Sequence, residues 1–341
     1  MHMAGAQTVS IVVAAFNAGT YLNATLRSLR NQTHRRSEVL VVVDGATDDT
    51  LDLARHHEAE DDRVRVIDLG ENRGRSVARN VGIAEATGEW VTVTDADDLW
   101  ACDRLESMLD AAARFPESSL VTDDLIQFVV RPDAEVRLGH RDSTRATWRL
   151  RDRPHTVRLR EWYMDGSCPM NPLIRRDLLE ATGATYPEDM SCGEDLSFQL
   201  ELAFSPHCGP TVRVPRPMYY YRWGESPRTP NMAESRLLLV QRVLERTGST
   251  EFERYARRAT PGMVFKAQRA DRQVVASGRA LPRDPGADGI ALRPSASRGY
   301  GQLALGKAVK TLSDRVDRHL RPGILADITE QLSTAGVVSA V

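Results

Sequence analysis

The sequence has 341 residues, of which 41% are hydrophobic and 27% are charged, and its formal net charge is -2. This composition is typical of a folded globular protein and excludes disordered, collagen-like and disulfide-scaffold chains. A length of roughly 150 residues per domain gives one large domain or two ordinary ones. The nearly balanced charge provides no global positive field, so a nucleic-acid partner is not expected.

The cysteines and the N-terminal segment bear on where the protein resides. The four cysteines are far apart and form no C-x-x-C pair, so we interpret them as reduced cytosolic thiols. The apolar run at residues 9–16 is far shorter than the roughly 20 residues of a membrane-spanning helix, and no signal peptide precedes it. We expect a cytoplasmic protein without a transmembrane segment, with the membrane periphery as the alternative location.

The first third of the sequence alternates apolar runs with stretches of helical spacing. The apolar runs are VSIVVAAF, EVLVVVD, VRVIDL and WVTVTD. The helical stretches between them are TYLNATLRSLRNQ, DDTLDLARHHEAE and RGRSVARNVGIAEA. Strands this uniformly apolar are buried on both faces, which predicts a mostly parallel, twisted α/β sheet covered by helices. Ligands of such sheets bind at the carboxyl ends of the strands.

The remaining two thirds are less regular. A strand is predicted at 120–131, and residues 141–160, which contain seven arginines, are interpreted as a loop that is either solvated or a lid over an anionic acceptor. A helix is predicted at 194–204, followed by the aromatic strand MYYYRW. Beyond these, the pattern predicts helices, a Pro/Gly-rich linker and a last amphipathic helix over 305–320.

Polar residues follow three of the predicted strands, namely Asn17, Asp44 and the TDADD motif that ends at Asp98. We expect these strand ends to lie together. The three carboxylates of TDADD repel one another, so a hard divalent cation is their natural partner. Magnesium or manganese is commonly held by one or two carboxylates beside a substrate diphosphate. The structural alternative is an Asx-rich turn in which Asp98 caps the following helix.

Four motifs follow one another in a characteristic order: SIVVAAFNAGTYLNATLRSLRNQT, VVDGATDDT, ENRGRSVARNVGIAEATGEWVTVTDADD and GEDLSFQLEL. From about Val9 to about Thr229 the sequence resembles the family 2 glycosyltransferases of GT-A fold. The resemblance implies a GT-A-like, Rossmann-type, mostly parallel twisted sheet flanked by helices. It places the glycosyltransferase domain at 1–230, with a nucleotide-sugar-binding half at 8–125 and an acceptor-side half at 126–230. Residues 231–341 are then a helical C-terminal extension.

The resemblance also assigns residues to the nucleotide-sugar donor. Asp44 matches the position that meets the donor base, and a carboxylate accepts the imino N–H of uracil, thymine or guanine, which cytosine and adenine lack. A helix start and a nearby guanidinium suit a diphosphate. Asp97 resembles the direct ligand of Mn²⁺ or Mg²⁺, and Asp95 the residue that reaches the ribose or the water shell of the metal. The full donor set is Ala15, Asn17, Asp44, Asn72, Arg73, Gly74, Arg79, Asp95 and Ala96.

A second acidic pair, Glu194-Asp195, begins the predicted helix at 194–204. Acidic residues are favoured there by the helix dipole, which is a sufficient structural explanation. The family resemblance instead places the catalytic base at the Asp of this pair. An acceptor hydroxyl is a weak nucleophile until a carboxylate takes its proton. We therefore predict Asp195 as the base, with Glu194 as the second candidate.

One position departs from the family pattern. Members often carry a histidine shortly after the aromatic strand, next to the metal and the diphosphate, whereas this sequence reads YYYRWGESPRT. The polar residues that remain there are Arg222, Ser226 and Arg228.

The predicted activity is therefore sugar transfer from a nucleoside-diphosphate sugar, UDP first, to a sugar, lipid-linked or small-molecule acceptor, with inversion. A nucleotidyltransferase is the alternative enzyme, but residues 9–19 lack its basic Gly-rich signature. A non-catalytic sugar-nucleotide-binding protein is the other alternative, and a dehydrogenase is disfavoured because no G-x-G-x-x-G follows the first strand. The mixed charges of the last predicted helix favour packing or homo-oligomer formation over contact with anionic lipid.

Overall fold

The computed structural model describes residues 7–131, 135–142, 153–157, 171–190, 192–223, 232–250, 252–254, 256 and 323–337. These residues form two compact units. The first unit contains the described residues up to Gly183, those from His207 to Trp223, and residues 323–337. The second unit contains the described residues of 184–206 and those between 232 and 256.

The N-terminal half of the first unit is a parallel sheet with a helix after each of its first three strands. Its strands are β1 (Val9–Ala15), β2 (Ser37–Val43), β3 (Val64–Asp68) and β4 (Trp90–Asp95). Its helices are α1 (Gly19–Arg30), α2 (Thr50–Glu60) and α3 (Arg75–Ala84). The four strands pair in the order β3-β2-β1-β4, all parallel, which confirms the predicted alternation and topology.

Burial explains why this half of the sheet is so apolar. Val9, Ile11, Val12 and Val13 of β1 are all fully buried, so both faces of the strand are covered, as the uniformly apolar run predicted. On α1, the buried positions include Leu22, Leu26 and Leu29, which follow helical spacing, and its remaining face is more exposed. Two-sided coverage leaves the strand ends as the accessible part of the sheet.

The C-terminal half of the sheet is mixed in direction. It contains β5 (Leu99–Trp100), α4 (Arg104–Arg114), β6 (Leu120–Val130), β7 (Val136–Asp142), β8 (His155–Val157), β9 (Leu173–Arg175), α5 (Arg176–Thr182) and β10 (Thr211–Arg222). Among the described residues the strand order is β3-β2-β1-β4-β9-β6-β10-β5, with β7 paired to β6 and β8 to β10. The predicted α/β fold class is thereby confirmed.

Two predictions in this half need correction. The Arg-rich stretch 141–160 is not a loop throughout, because His155–Val157 pairs with β10 as a strand; residues 143–152 and 158–160 lie outside the described residues. The aromatic strand begins at Thr211, seven residues before the predicted MYYYRW. The sequence did not indicate this extension because it contains Pro215 and Pro217, and proline cannot donate a hydrogen bond to a neighbouring strand. The register between β10 and β6 shifts around Pro217.

The second unit is helical in its described part. It contains α6 (Glu194–Ala203) and α7 (Met232–Thr247), which confirms helices at both predicted places. Tyr186 stacks on Phe198 of α6 with a ring-centroid distance of 4.2 Å. Arg246 of α7 donates to Glu201 of α6 at 2.7 Å, and this ion pair ties the two helices together.

Residues 323–334 form a further helix, α8, which packs within the first unit. Ile328 and Leu332 of α8 are fully buried in the core of this unit. Three hydrogen bonds fasten the segment: Tyr220 to Asp327 at 2.6 Å, Gln331 to the Trp100 carbonyl at 3.2 Å, and Asn23 to the Ala335 carbonyl at 3.1 Å. The predicted amphipathic helix over 305–320 lies outside the described residues.

The predicted domain division at residue 230 stays a prediction. In the part of the chain that the structure describes, none of the helices has the length and apolar character that crossing a membrane requires.

Candidate active site

The carboxyl ends of β1, β2 and β4 meet at one edge of the sheet. Ala15 at the end of β1 lies opposite Val43 of β2, and Ala14 lies opposite Asp95 of β4. Because the three strands are parallel neighbours, the residues that follow them project from the same edge, as the sequence predicted. This edge is the place where a ligand would bind.

Asp44 organises the loop that precedes α3. Its side chain is almost fully buried and accepts hydrogen bonds from the backbone N–H groups of Arg73 (2.7 Å) and Gly74 (3.0 Å). Gly45 has a φ of 64°, and a Cβ there would lie 2.2 Å from the Glu71 backbone, so only glycine allows the loop to approach. The Asn72 and Arg73 side chains are exposed at the edge.

The turns after β1 and β2 are tied to each other by side chains. Asn17, at a φ of 46°, accepts a hydrogen bond from the Thr47 N–H at 2.8 Å. Asp48 accepts from the Gly19 N–H at 3.0 Å, at the start of α1. The bond to Gly19 satisfies an amide group that the start of α1 leaves without an intrahelical partner. The turn around Asn17 therefore has a fixed conformation.

Asp95 is the first carboxylate of the DxD motif, Asp95-Ala96-Asp97, and it is paired with a buried arginine. The Arg79 guanidinium lies on α3, is 7% exposed and donates to Asp95 at 2.7 Å. The sequence placed both residues in the donor set, and the structure brings them into direct contact. This geometry fixes the Asp95 carboxylate beside the start of β5.

The second DxD carboxylate is also paired with an arginine. Arg222, the last residue of β10, forms an ion pair with Asp97, and its guanidinium lies over the Tyr21 ring, 4.1 Å from the centroid. Burial raises the pKa of the Asp97 carboxyl above its usual range. The Arg222 charge opposes this increase, and the Asp95 charge adds to it. Each carboxylate of the motif therefore has one arginine as its partner at this edge.

Asp98 joins the DxD turn to β10. Its fully buried carboxylate accepts from the Tyr219 hydroxyl at 2.5 Å and from the Arg222 N–H at 2.7 Å. The prediction that Asp98 caps the next helix is wrong, because α4 begins at Arg104 and follows Asp103. Burial raises the pKa of Asp98 well above its ordinary value, and the charges of Asp97 and then Asp95 raise it further.

The carboxylates at this edge fit a divalent metal ion that is held partly by the protein and partly by the substrate. Asp95 and Asp97 are 31% and 34% exposed in their side chains, and carboxylate oxygens suit Mg²⁺ or Mn²⁺. Among the described residues, no group of three or more acidic, cysteine or histidine side chains is arranged to hold a metal. One or two protein ligands completed by diphosphate oxygens is the arrangement that these residues allow.

A buried ionic network lies behind the DxD turn, and no local sequence pattern indicates it. Arg104 donates two hydrogen bonds of 3.0 Å to Asp123 and one of 3.0 Å to the Asn171 carbonyl. The Asn171 amide donates to the Tyr219 hydroxyl at 2.7 Å. The Arg104 guanidinium also lies 4.2 Å from the Trp100 ring centroid. This network supports Tyr219 and thereby the position of the DxD turn.

The acidic pair predicted as the catalytic base lies in the second unit. Gly193, at a φ of 79°, precedes α6, so both carboxylates occupy the first turn of the helix. Glu194 is 4% exposed, whereas Asp195 is partly exposed and accepts from the Leu196 N–H at 2.7 Å. Asp195 is therefore the member of the pair that is more accessible to a substrate.

Several other positions can now be placed. Ala15 and Ala96 are buried, and their carbonyl groups accept from the Asp44 N–H at 2.8 Å and the Thr25 hydroxyl at 2.9 Å. Sequence reasoning missed Phe16, which is 48% exposed directly after β1. The sequence feature that could have identified Phe16 is an aromatic residue between a buried strand and a turn. Ser226 and Arg228 lie outside the described residues.

Comparison with known proteins identifies the family of this chain. The sequence model of the family described as Glycosyl transferase family 2 matches residues 10–183, just over half of the chain. The chain belongs to glycosyltransferase family 2. The matched residues include β1 to β4, the DxD turn and the Arg104–Asp123 pair, so the family domain coincides with most of the first unit.

Two relatives from Bacillus subtilis (strain 168) are similar to this family 2 chain. TuaG, named as a glycosyltransferase of teichuronic acid biosynthesis, is 35% identical over 135 residues, which are 37% of this chain and 54% of TuaG. EpsH, also named as a glycosyltransferase, is 31% identical over 217 residues, which are 63% of this chain and 60% of EpsH. The chain thus spans less than two thirds of either relative.

A solved structure shares the fold of this family 2 chain. The crystal structure of S. aureus TarS 1-349 in complex with UDP superposes with a TM-score of 0.56 at 19% identity. The superposition covers 76% of this chain and 70% of that one. At this identity the similarity establishes the fold, the GT-A arrangement of a central sheet flanked by helices.

Proposed function

We propose that the chain transfers a sugar from a nucleoside-diphosphate sugar, with UDP as the first nucleotide to test, to an acceptor hydroxyl with inversion. The observation that carries this proposal is the meeting of Asp44, Asp95 and Asp97 at the carboxyl edge of parallel strands, with arginines on both DxD carboxylates. Such an edge binds nucleotides in α/β sheets. Membership of family 2 and the fold shared with TarS, which was solved with UDP, support the same donor class.

The nucleoside part of the donor binds where β1 and β2 end. The Asp44 carboxylate already accepts two backbone N–H groups, and each carboxylate oxygen has a further lone pair for an imino N–H of the base. The exposed Phe16 ring offers a stacking surface for the same base. Both groups are held by short turns, so the binding surface is preorganised.

The diphosphate binds between the start of α3 and the DxD turn. Asp97, assisted by Asp95, would hold Mn²⁺ or Mg²⁺ at the diphosphate. When bound, the metal stabilises the negative charge that develops on the departing nucleoside diphosphate. Arg79 orients Asp95, and the exposed Arg73 side chain supplies further positive charge at this edge.

Asp195 is the proposed general base. It takes the proton of the acceptor hydroxyl as the hydroxyl oxygen attacks the anomeric carbon. One such displacement inverts the configuration of that carbon. Its greater accessibility than Glu194 supports this assignment.

Calorimetry of UDP binding with and without Mn²⁺ tests the donor site. Asp97→Asn should remove most of the manganese-dependent gain in UDP affinity, because the amide is a far weaker ligand for a hard cation. Asp103→Asn is a matched control, since Asp103 is 31% exposed, pairs with Arg216 and lies six residues away. An Asp97→Asn protein that keeps the full gain would refute the metal assignment.

The preference of the donor site among nucleobases is a separate prediction. UDP, TDP and GDP should bind more tightly than CDP by about 1 to 3 kcal/mol, because a base without an imino N–H leaves the buried Asp44 carboxylate without a partner on that side. Thermal-shift titrations with the four nucleotides, each with Mn²⁺, measure this difference. Equal shifts for UDP and CDP would show that Asp44 does not read the base.

A further inference from the structure

The backbone of Arg222 and its guanidinium are held by different groups. Its N–H donates to Asp98 at 2.7 Å, and the following N–H, of Trp223, donates to the Phe128 carbonyl at 2.7 Å. The side chain, in contrast, forms an ion pair with the Asp97 carboxylate and lies over the face of the Tyr21 ring. A rotation of the Arg222 side chain therefore leaves the strand in place.

The guanidinium also has hydrogen-bonding capacity that the protein does not use. The Nε atom of Arg222 is buried and has no hydrogen-bond partner among the described residues. Buried donors are almost always paired, so an unpaired one beside an anion-binding edge points to a ligand. Guanidinium groups pair with phosphate oxygens through two parallel hydrogen bonds, one of which can use Nε.

The position of Arg222 conflicts with a metal on Asp97. A divalent ion bound to the carboxylate that Arg222 contacts would place two positive centres side by side, and they repel. The diphosphate that arrives with the metal brings more than one negative charge. Arg222 can therefore remain paired in both states, with Asp97 before the donor binds and with the diphosphate afterwards.

We propose that Arg222 is an exchangeable counter-ion of Asp97, which competes with the metal in the donor-free protein and moves to the diphosphate when the metal and donor bind. This inference rests on the proposed function, because it requires the metal at Asp97. Arg222 is thus a specificity-determining residue for diphosphate over nucleoside.

The inference predicts two effects of opposite sign in Arg222→Gln. The Mn²⁺ concentration that gives half of the gain in UDP affinity should fall about fivefold, because the competing cation is gone. The UDP affinity at saturating Mn²⁺ should fall about tenfold, because a phosphate ligand is gone. Calorimetry at a series of Mn²⁺ concentrations measures both, and uridine, which lacks phosphates, should bind equally to both proteins.

Two further variants complete the design. Arg216→Gln removes the same charge from the same strand, but Arg216 is half-exposed and pairs with Asp103, so it should behave as the wild type. Arg222→Lys keeps the positive charge but lacks the planar guanidinium that forms two parallel hydrogen bonds. Both effects should therefore be smaller than in Arg222→Gln. This graded response separates the role of Arg222 from a folding defect.

The outcomes are distinct. A wild type whose UDP affinity does not respond to Mn²⁺ would overturn the proposed metal site together with this inference. A wild type that responds, with an Arg222→Gln protein of unchanged Mn²⁺ midpoint or unchanged UDP affinity, would overturn this inference alone.

Discussion

Replacing Asp195 with asparagine should lower the rate of sugar transfer by about 100-fold or more while the affinity for UDP barely changes. Asparagine keeps the shape of the side chain but cannot accept the proton of the acceptor hydroxyl. The measurement is single-turnover transfer with an acceptor found by screening, alongside calorimetry of UDP binding. Asp195 is not among the proposed donor-binding residues, so a pure rate effect is expected.

Glu194→Gln is the matched control for Asp195→Asn. Glu194 is 4% exposed, so its replacement should affect the rate less, although it can lower stability. NMR of the product from an α-linked donor should show a β linkage, because a single in-line displacement inverts the anomeric carbon. Retention of configuration, or a larger rate defect in Glu194→Gln, would contradict the assignment of Asp195.

Arg104→Met should destabilise the protein by about 3 to 5 kcal/mol, because it leaves the Asp123 carboxylate buried without its ionic partner. Arg104 and Asp123 have side-chain exposures of 0% and 1%, and the pair is bidentate. Burial raises the pKa of Asp123, and the Arg104 charge opposes this rise. Urea denaturation followed by circular dichroism gives the free energy of unfolding.

Two comparisons separate this effect from a general loss of charge. Arg216→Met breaks the half-exposed pair with Asp103 and should cost less than about 1 kcal/mol. The double variant Arg104→Met/Asp123→Leu removes both charges and should recover much of the loss. A cost below about 1 kcal/mol for Arg104→Met alone would show that the buried pair does not support the fold.

The parallel half of the fold was predictable because its signals are local. Apolar runs separated by helical spacing fix the order of strands and helices, and parallel pairing then brings Asp44 and Asp95 to one edge. The family resemblance, and not this pattern, placed Arg79 in the donor-binding set, and its contact with Asp95 required the structure. Local sequence patterns therefore identified the edge of the sheet at which the candidate site lies.

Other features were not predictable because they depend on residues distant in sequence. Asp97 and Arg222 are 125 residues apart, and Asp98 and Tyr219 are 121 apart. Arg104, as the first residue of an amphipathic helix, resembles a solvated side chain until β6 places Asp123 opposite it. Asp98 fitted a helix cap by spacing alone, but the two hydrogen bonds from β10 determine its position.

The packing of α8 has a consequence for biosynthesis. The hydrogen bond between Asn23 and the Ala335 carbonyl joins residues that are 312 positions apart. A ribosome that adds roughly 5 to 20 residues per second therefore synthesises Ala335 roughly 15 to 60 s after Asn23. After β10 is synthesised and until α8 follows, the apolar core surface that packs against Ile328 and Leu332 is uncovered on the nascent chain. A product that terminates before α8 would hold every proposed donor residue and still present this apolar surface to other chains.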